Sequence, residues 1–167
     1  MTTSPTAGWE NFFVAQVGAA AALTGLLFVA VSISLRAILA SQHLRDRATE
    51  TLMTFMLVLS VATCGLVPGQ GARALGAEMG AFGGFVWIVA ARRHLRAHRD
   101  PGLEAKARRW LWARVLGAQA STLPFLAAGG SMLAGHEGGL AWVAPGTLGC
   151  FAAGAFNAWV LLVEIQR

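Results

Sequence analysis

Long uncharged runs divide this chain. The first extends from Asn11 to Leu35 and ends at Arg36. The second lies between Glu50 and Arg73, with its helix stopping at Pro68-Gly69. A third runs from Ala74 to Ala91 and holds one charge, Glu78. The fourth, Trp110 to Ala134, has Arg114 near its start and Pro124 in its middle, and the fifth runs from Leu140 to Val163. About 20 apolar residues cross the hydrocarbon core of a bilayer. The pattern therefore predicts an all-α fold, an integral membrane helical bundle of five transmembrane helices. They lie at about 11–35, 51–67, 74–91, 110–134 and 140–163, in a single domain over 1–167. The first run is too long for a cleavable leader, and no basic residue precedes it, so it is expected to stay as a span.

The gaps between the runs differ in charge. The gap after the first holds Arg36, Arg45 and Arg47; that after the third holds Arg92, Arg93, Arg96, Arg99, Lys106, Arg108 and Arg109. The alternate gaps hold Arg73 and no other basic residue. Basic loops stay on the cytoplasmic side, which predicts the N-terminus outside and the C-terminus inside. Trp9 and Trp142 then mark the outer headgroup level, and Trp87, Trp110, Trp112 and Trp159 the inner one. Indole rings prefer that level because the ring is apolar and its N–H wants a partner. Asp100-Pro101-Gly102 is expected to break the long basic hairpin into two helical extensions.

Composition agrees with the spans. The chain is 56% hydrophobic and 13% charged, against roughly 45–50% and about 25% in soluble domains. This excludes a disordered chain, a disulfide scaffold and a cytosolic enzyme. The net charge of +5 resides in the gaps, so it reads as membrane orientation and an anionic-lipid contact at the cytoplasmic face, with no nucleic-acid partner. Twelve of the thirteen basic residues are Arg and Gly is frequent, as in high-GC bacterial genomes. The expected location is the bacterial plasma membrane.

Small residues gather on one face of several spans at 100° per residue. Gly18, Ala22, Gly25 and Ser32 share a stripe on the first; Gly76, Gly80, Gly83 and Gly84 form a doubled GxxxG on the third. On the fifth, Gly146, Cys150, Ala153, Asn157 and Glu164 lie close to one line, beside Gly154. Such faces let membrane helices approach closely. They serve either the bundle itself or a homo-oligomer.

Polar side chains at membrane depth are expensive, roughly 2.5–3.5 kcal/mol for a charge, and each calls for a reason. Arg114 either reaches the inner headgroups or pairs with Glu164. Gln119 and Asn157 fall within about a turn of each other if the last two spans form a hairpin, as a hydrogen-bonded pair or as the lining of a solvated pathway. Gln16 lies near the outer interface. Glu78 either reaches the outer headgroups or binds a cation or proton in an outward vestibule, with Gln16 or His136 as candidate donors.

No residue set suggests an enzyme, and no cofactor box is visible. His94 and His98 have the spacing of two metal ligands on one helix face, but the surrounding arginines would repel a cation, so no metal site is expected. Cys64 and Cys150 sit within apolar runs as packing residues.

The stretches Trp9-Glu10-Asn11-Phe12-Phe13-Val14-Ala15-Gln16-Val17-Gly18 and Leu26-Leu27-Phe28-Val29-Ala30-Val31-Ser32-Ile33-Ser34-Leu35 resemble a group of small, largely actinobacterial membrane proteins. Leu66-Val67-Pro68-Gly69-Gln70 and the closing Asn157–Glu164 segment share in the resemblance. Members of the group often carry the name of modulators of the FtsH membrane protease. The resemblance implies a small multi-span bacterial membrane protein. Two functions compete. One is a homo-oligomeric channel or small-solute pathway, supported by the polar residues at depth and the glycine faces. The other is a non-catalytic accessory subunit that regulates a larger membrane complex, such as a protease.

Overall fold

A computed structural model of the chain describes residues 5–98, 105–136 and 138–165. Its elements are α1 (Glu10–Ile33), α2 (Leu35–Ala40), α3 (Gln42–Gly65), α4 (Ala72–His98), α5 (Ala105–Leu133) and α6 (Val143–Ile165), the last entered through a 3-10 turn at Gly139–Trp142. No strand occurs among the described residues. Four helical segments are long and apolar enough to cross a membrane: Glu10–Ile33, Gln42–Gly65, Ala72–Arg96 and Gly139–Leu161. α5 is the longest helix, at 29 residues, but Gln119, Ser121, Thr122 and Pro124 dilute its apolar character, and it is not among the four. The proposed Asp100-Pro101-Gly102 break lies outside the described residues.

α3, α4, α5 and α6 close into a ring in which each touches two neighbours, and α1 packs on the outside of α3. The half of the ring around the start of α4 and the end of α5 is solid. Leu75 and Met79 of α4, Phe125 of α5, Val143 of α6 and Val58 and Val61 of α3 are fully buried there. The opposite half, where α3 and α5 begin, is the basic end.

Two helices depart from their expected bounds. α3 starts at Gln42, nine residues before the predicted span. Its buried positions, Leu44, Arg47, Thr51, Phe55, Val58, Ala62 and Gly65, follow one stripe with steps of three and four. The polar first turns are thus the continuation of a packed helix, and helical periodicity carries Arg47 inward with the stripe. The first run bends at Ser34, whose φ of −104° and ψ of 17° separate α1 from α2.

α4 and α5 pack through backbone. A Cβ on Gly129 of α5 would sit 2.6 Å from the Gly76 oxygen and 2.7 Å from the Gly80 nitrogen. The Gly76/Gly80 pair of α4 therefore receives Gly129, the close approach that small-xxx-small faces permit. Gly83 meets Phe125, and Gly84 meets Leu126. On α6, Gly146 lies against the Phe125 ring and Gly154 against Phe55. The stripe on α1 behaves differently. Gly18, Ala22, Gly25 and Ser32 are exposed, and a Cβ on Gly18 or Gly25 would meet nothing within 4 Å. The buried face of α1 is Phe13, Gln16, Ala20, Thr24 and Leu27.

Pro124 leaves the α5 ladder short of one donor, since its nitrogen bears no hydrogen for the Ala120 carbonyl. α6 attends to this gap. Gly149 approaches so closely that a Cβ there would lie 2.9 Å from the Ala120 oxygen. The next residue, Cys150, donates its thiol to the Ser121 carbonyl at 3.5 Å.

Candidate functional site: a polar cavity at the basic end

The ring does not fill its basic half. A cavity of about 170 Å³ lies there between α3, α4, α5 and α6. Its charged lining is Arg47 and Glu50 from α3, Arg93 and His94 from α4, and Arg114 from α5; α6 adds Asn157. Met53, Leu57, Val86 and Val89 form an apolar wall.

The helix register explains how the charges come together. Arg47 is on the buried stripe of α3 and is only 6% exposed. Glu50, three residues on, faces the same interior. There the Arg114 Nη2 donates to the Glu50 Oε1 at 2.6 Å, with both side chains largely buried (19% and 16% exposed). Arg47 donates through Nε to the His43 Nε2 at 3.0 Å and through Nη1 to the Asn157 Oδ1 at 3.4 Å. Arg93 ties α4 to α3 at the rim, donating to the Asp46 carbonyl at 3.3 Å with its carboxylate at 3.7 Å. His94 is 7% exposed. The arrangement is one of guanidinium groups held in fixed directions by neighbours on other helices. It suits recognition of a solute. Thr54, Ser121, Thr122 and Cys150 share the lining with Glu50 and His94.

Several residues named from the sequence take other partners than expected. Arg114 pairs with Glu50 of α3; the side chain of Glu164, the expected partner, lies outside the described residues. The reason is that α3 extends down to the basic end and brings a carboxylate to the level of Arg114. Gln119 and Asn157 do not bond to each other. Gln119 accepts from the Trp87 indole at 2.8 Å, joining α5 to α4, while Asn157 turns to Arg47. Gln16 is 5% exposed and donates to the Thr147 hydroxyl of α6 at 2.9 Å. Its position opposite the glycine stripe turns it inward, because the stripe faces out.

Glu78 is half-buried near the opposite end, with one carboxylate oxygen buried and without a hydrogen-bond partner among the described residues. Gln16 is engaged with Thr147, and His136 is exposed. Ala153 lines the cavity, whereas Gly18 and Gly25 take no part in the bundle.

The basic patch divides. Arg92 and Arg96 are exposed, but Arg93 turns to the cavity rim. Arg99 and the side chains of Lys106, Arg108 and Arg109 lie outside the described residues. The His98 ring lies tilted against Trp112, with ring centres 5.1 Å apart.

Sequence reasoning missed Arg47 and Glu50, which were counted as loop residues. The signal available was the spacing of Leu44, Arg47, Thr51 and Phe55, which already has helical period before the uncharged run begins. Searches among protein-family models, curated proteins and solved structures return no match to this chain.

Proposed function

We propose that this chain is a five-span plasma-membrane protein that forms a small-solute pathway, with the ring cavity as its inward-facing station. The observation that carries the reading is the cavity itself, a space of about 170 Å³ lined by charges from three helices and backed by a solid apolar half. Ionisable side chains within membrane spans are costly, and they commonly mark solute or ion pathways. The apolar half acts as the closed gate of such a route.

The fifth span is α5. It starts at the end where α4 finishes, ends where α6 begins, and packs on both along its length. If its neighbours cross the bilayer, so does α5, and its polar groups are satisfied inside the ring: the Ser121 and Thr122 hydroxyls donate to the Gly117 and Ala118 carbonyls. The basic end then faces the cytoplasm, with the N-terminus outside and the C-terminus inside. Homo-oligomerisation belongs to the same proposal, through the exposed Gly18/Ala22/Gly25 face of α1. The accessory-subunit reading draws on that same face.

The test is solvent access. In a Cys64→Ser/Cys150→Ser background, Ala153→Cys should react with a small impermeant thiol reagent in inside-out membrane vesicles and remain unreacted in right-side-out ones. A cysteine inert from both sides would mean a dry bundle, and the pathway reading would be abandoned for the accessory one.

A further inference from the structure

We propose that the ring cavity takes a small uncharged solute with a carbonyl oxygen. The oxygen accepts from the Arg114 Nε, and a short apolar body lies against Met53, Leu57, Val86 and Val89. This rests on the reading of the cavity as a solute station and adds the class of solute.

The first observation is an orphan donor. Arg114 lines the cavity, and its Nη2 donates to the Glu50 Oε1 at 2.6 Å. Its Nε is buried and has no acceptor among the described residues, and no other residue of the lining has a buried side-chain nitrogen or oxygen left in that state. The neighbouring hydroxyls already have acceptors: Thr54, Ser121 and Thr122 donate to the Glu50, Gly117 and Ala118 carbonyls. A buried N–H without an acceptor is costly, and more so on a charged group. The lining therefore asks for one acceptor.

The second observation is what stands beside that donor. Nε–H and Nη2–H belong to one planar guanidinium, so an acceptor on Nε comes to lie beside the Glu50 carboxylate. Two carboxylates at one site repel each other, and an anion loses its hydration on entering a low-dielectric bundle. A carbonyl oxygen brings lone pairs without a charge. An ammonium group has no lone pair to offer and meets the guanidinium as a like charge. The selection is local to Arg114 and Glu50.

The third observation is size and polarity. An apolar cavity of about 150 Å³ holds one benzene. The present 170 Å³ therefore admits a solute of about the same number of heavy atoms. The wall of Met53, Leu57, Val86 and Val89 is apolar, so the body that carries the carbonyl is a short hydrocarbon. A two-chain lipid is too large for the space inside the ring.

The experiment uses full-length protein in a non-ionic detergent with three probes of similar shape: methyl propyl ketone, butyrate and butylammonium. Calorimetric titration should show saturable binding of the ketone, with butyrate and butylammonium at least tenfold weaker. Arg114→Lys keeps a positive partner for Glu50 but replaces the planar fork by a point charge, and should weaken ketone binding at least tenfold. Glu50→Gln removes the carboxylate beside Nε and keeps an acceptor for Nη2. It should raise the ratio of butyrate to ketone affinity at least tenfold, an effect that loosening of the cavity alone does not produce. Absence of saturable ketone binding would overturn the proposal, and so would butyrate or butylammonium binding as tightly as the ketone. An unchanged affinity ratio in Glu50→Gln would also overturn it, as would unchanged ketone affinity in Arg114→Lys. These outcomes are independent of whether Ala153→Cys reacts with thiol reagents, so the solute class and the pathway reading fail separately.

Discussion

Arg114 and Arg92 carry the same charge and lie on adjacent helices, but only Arg114 has a buried counter-charge. Breaking a buried pair from one side leaves the other charge without compensation, at a cost of about 3–5 kcal/mol. Arg114→Ala should therefore lower the stability of the detergent-solubilised protein by about 3 kcal/mol, near the lower end because both partners keep some exposure. Arg92→Ala, at an exposed position, should change stability by less than about 0.5 kcal/mol. Denaturant titration of the two variants checks this, and equal effects would mean that the Arg114–Glu50 pair is solvated. At this scale the sequence marked Arg114 as a residue in need of a partner but not which partner. The carboxylate that meets it is 64 positions away, on a helical extension that looked like a loop because its charges conceal a buried stripe.

Between elements, adjacent glycines on α5 make a natural pair of probes. Gly129 touches the α4 backbone, and Gly130 is exposed with nothing near its missing Cβ. Gly129→Leu should lower the melting temperature sharply and Gly130→Leu should not, because overpacking costs about 1–3 kcal/mol where nothing can yield and backbone yields least. Gly149 offers a second comparison. Gly149→Ala forces a methyl onto the Ala120 carbonyl, which lacks the donor that Pro124 cannot supply, and should cost about 1–3 kcal/mol. Gly117→Ala, in open space on the same helix as Pro124, should be neutral or slightly stabilising. Equal melting temperatures for these two variants would remove the argument that α6 is fitted to the proline gap. The doubled GxxxG of α4 was legible as a packing face. Its partner Gly129 was not, since it sits in a run of small residues, Ala127 to Ser131, that marks no one face of the helix.

For the whole molecule, the proposed topology has a direct consequence. A cysteine at Thr3 should be labelled by an impermeant reagent in intact cells, and one appended after Arg167 should not. Labelling of both would mean an even number of spans and would remove α5 from the bilayer. The class of the molecule, an all-helical chain with several helices apolar enough to cross a membrane, was determined by the sequence alone. Hydropathy is a local sum over about 20 residues, and it survives whatever the neighbours do. The relative directions of side chains on one helix were also determined, because 100° per residue is a property of the backbone. What tertiary structure decided was the rotation of each helix about its own axis. In a soluble protein the polar face points that rotation outward. In lipid both faces are apolar and packing between small residues sets it instead. Hence the stripe on α1 faces away from the bundle and that on α4 faces into it, although both read alike. The same rotation turns Gln16 inward, and it brings Arg47, Glu50 and Arg114 around one cavity that no stretch of sequence contains.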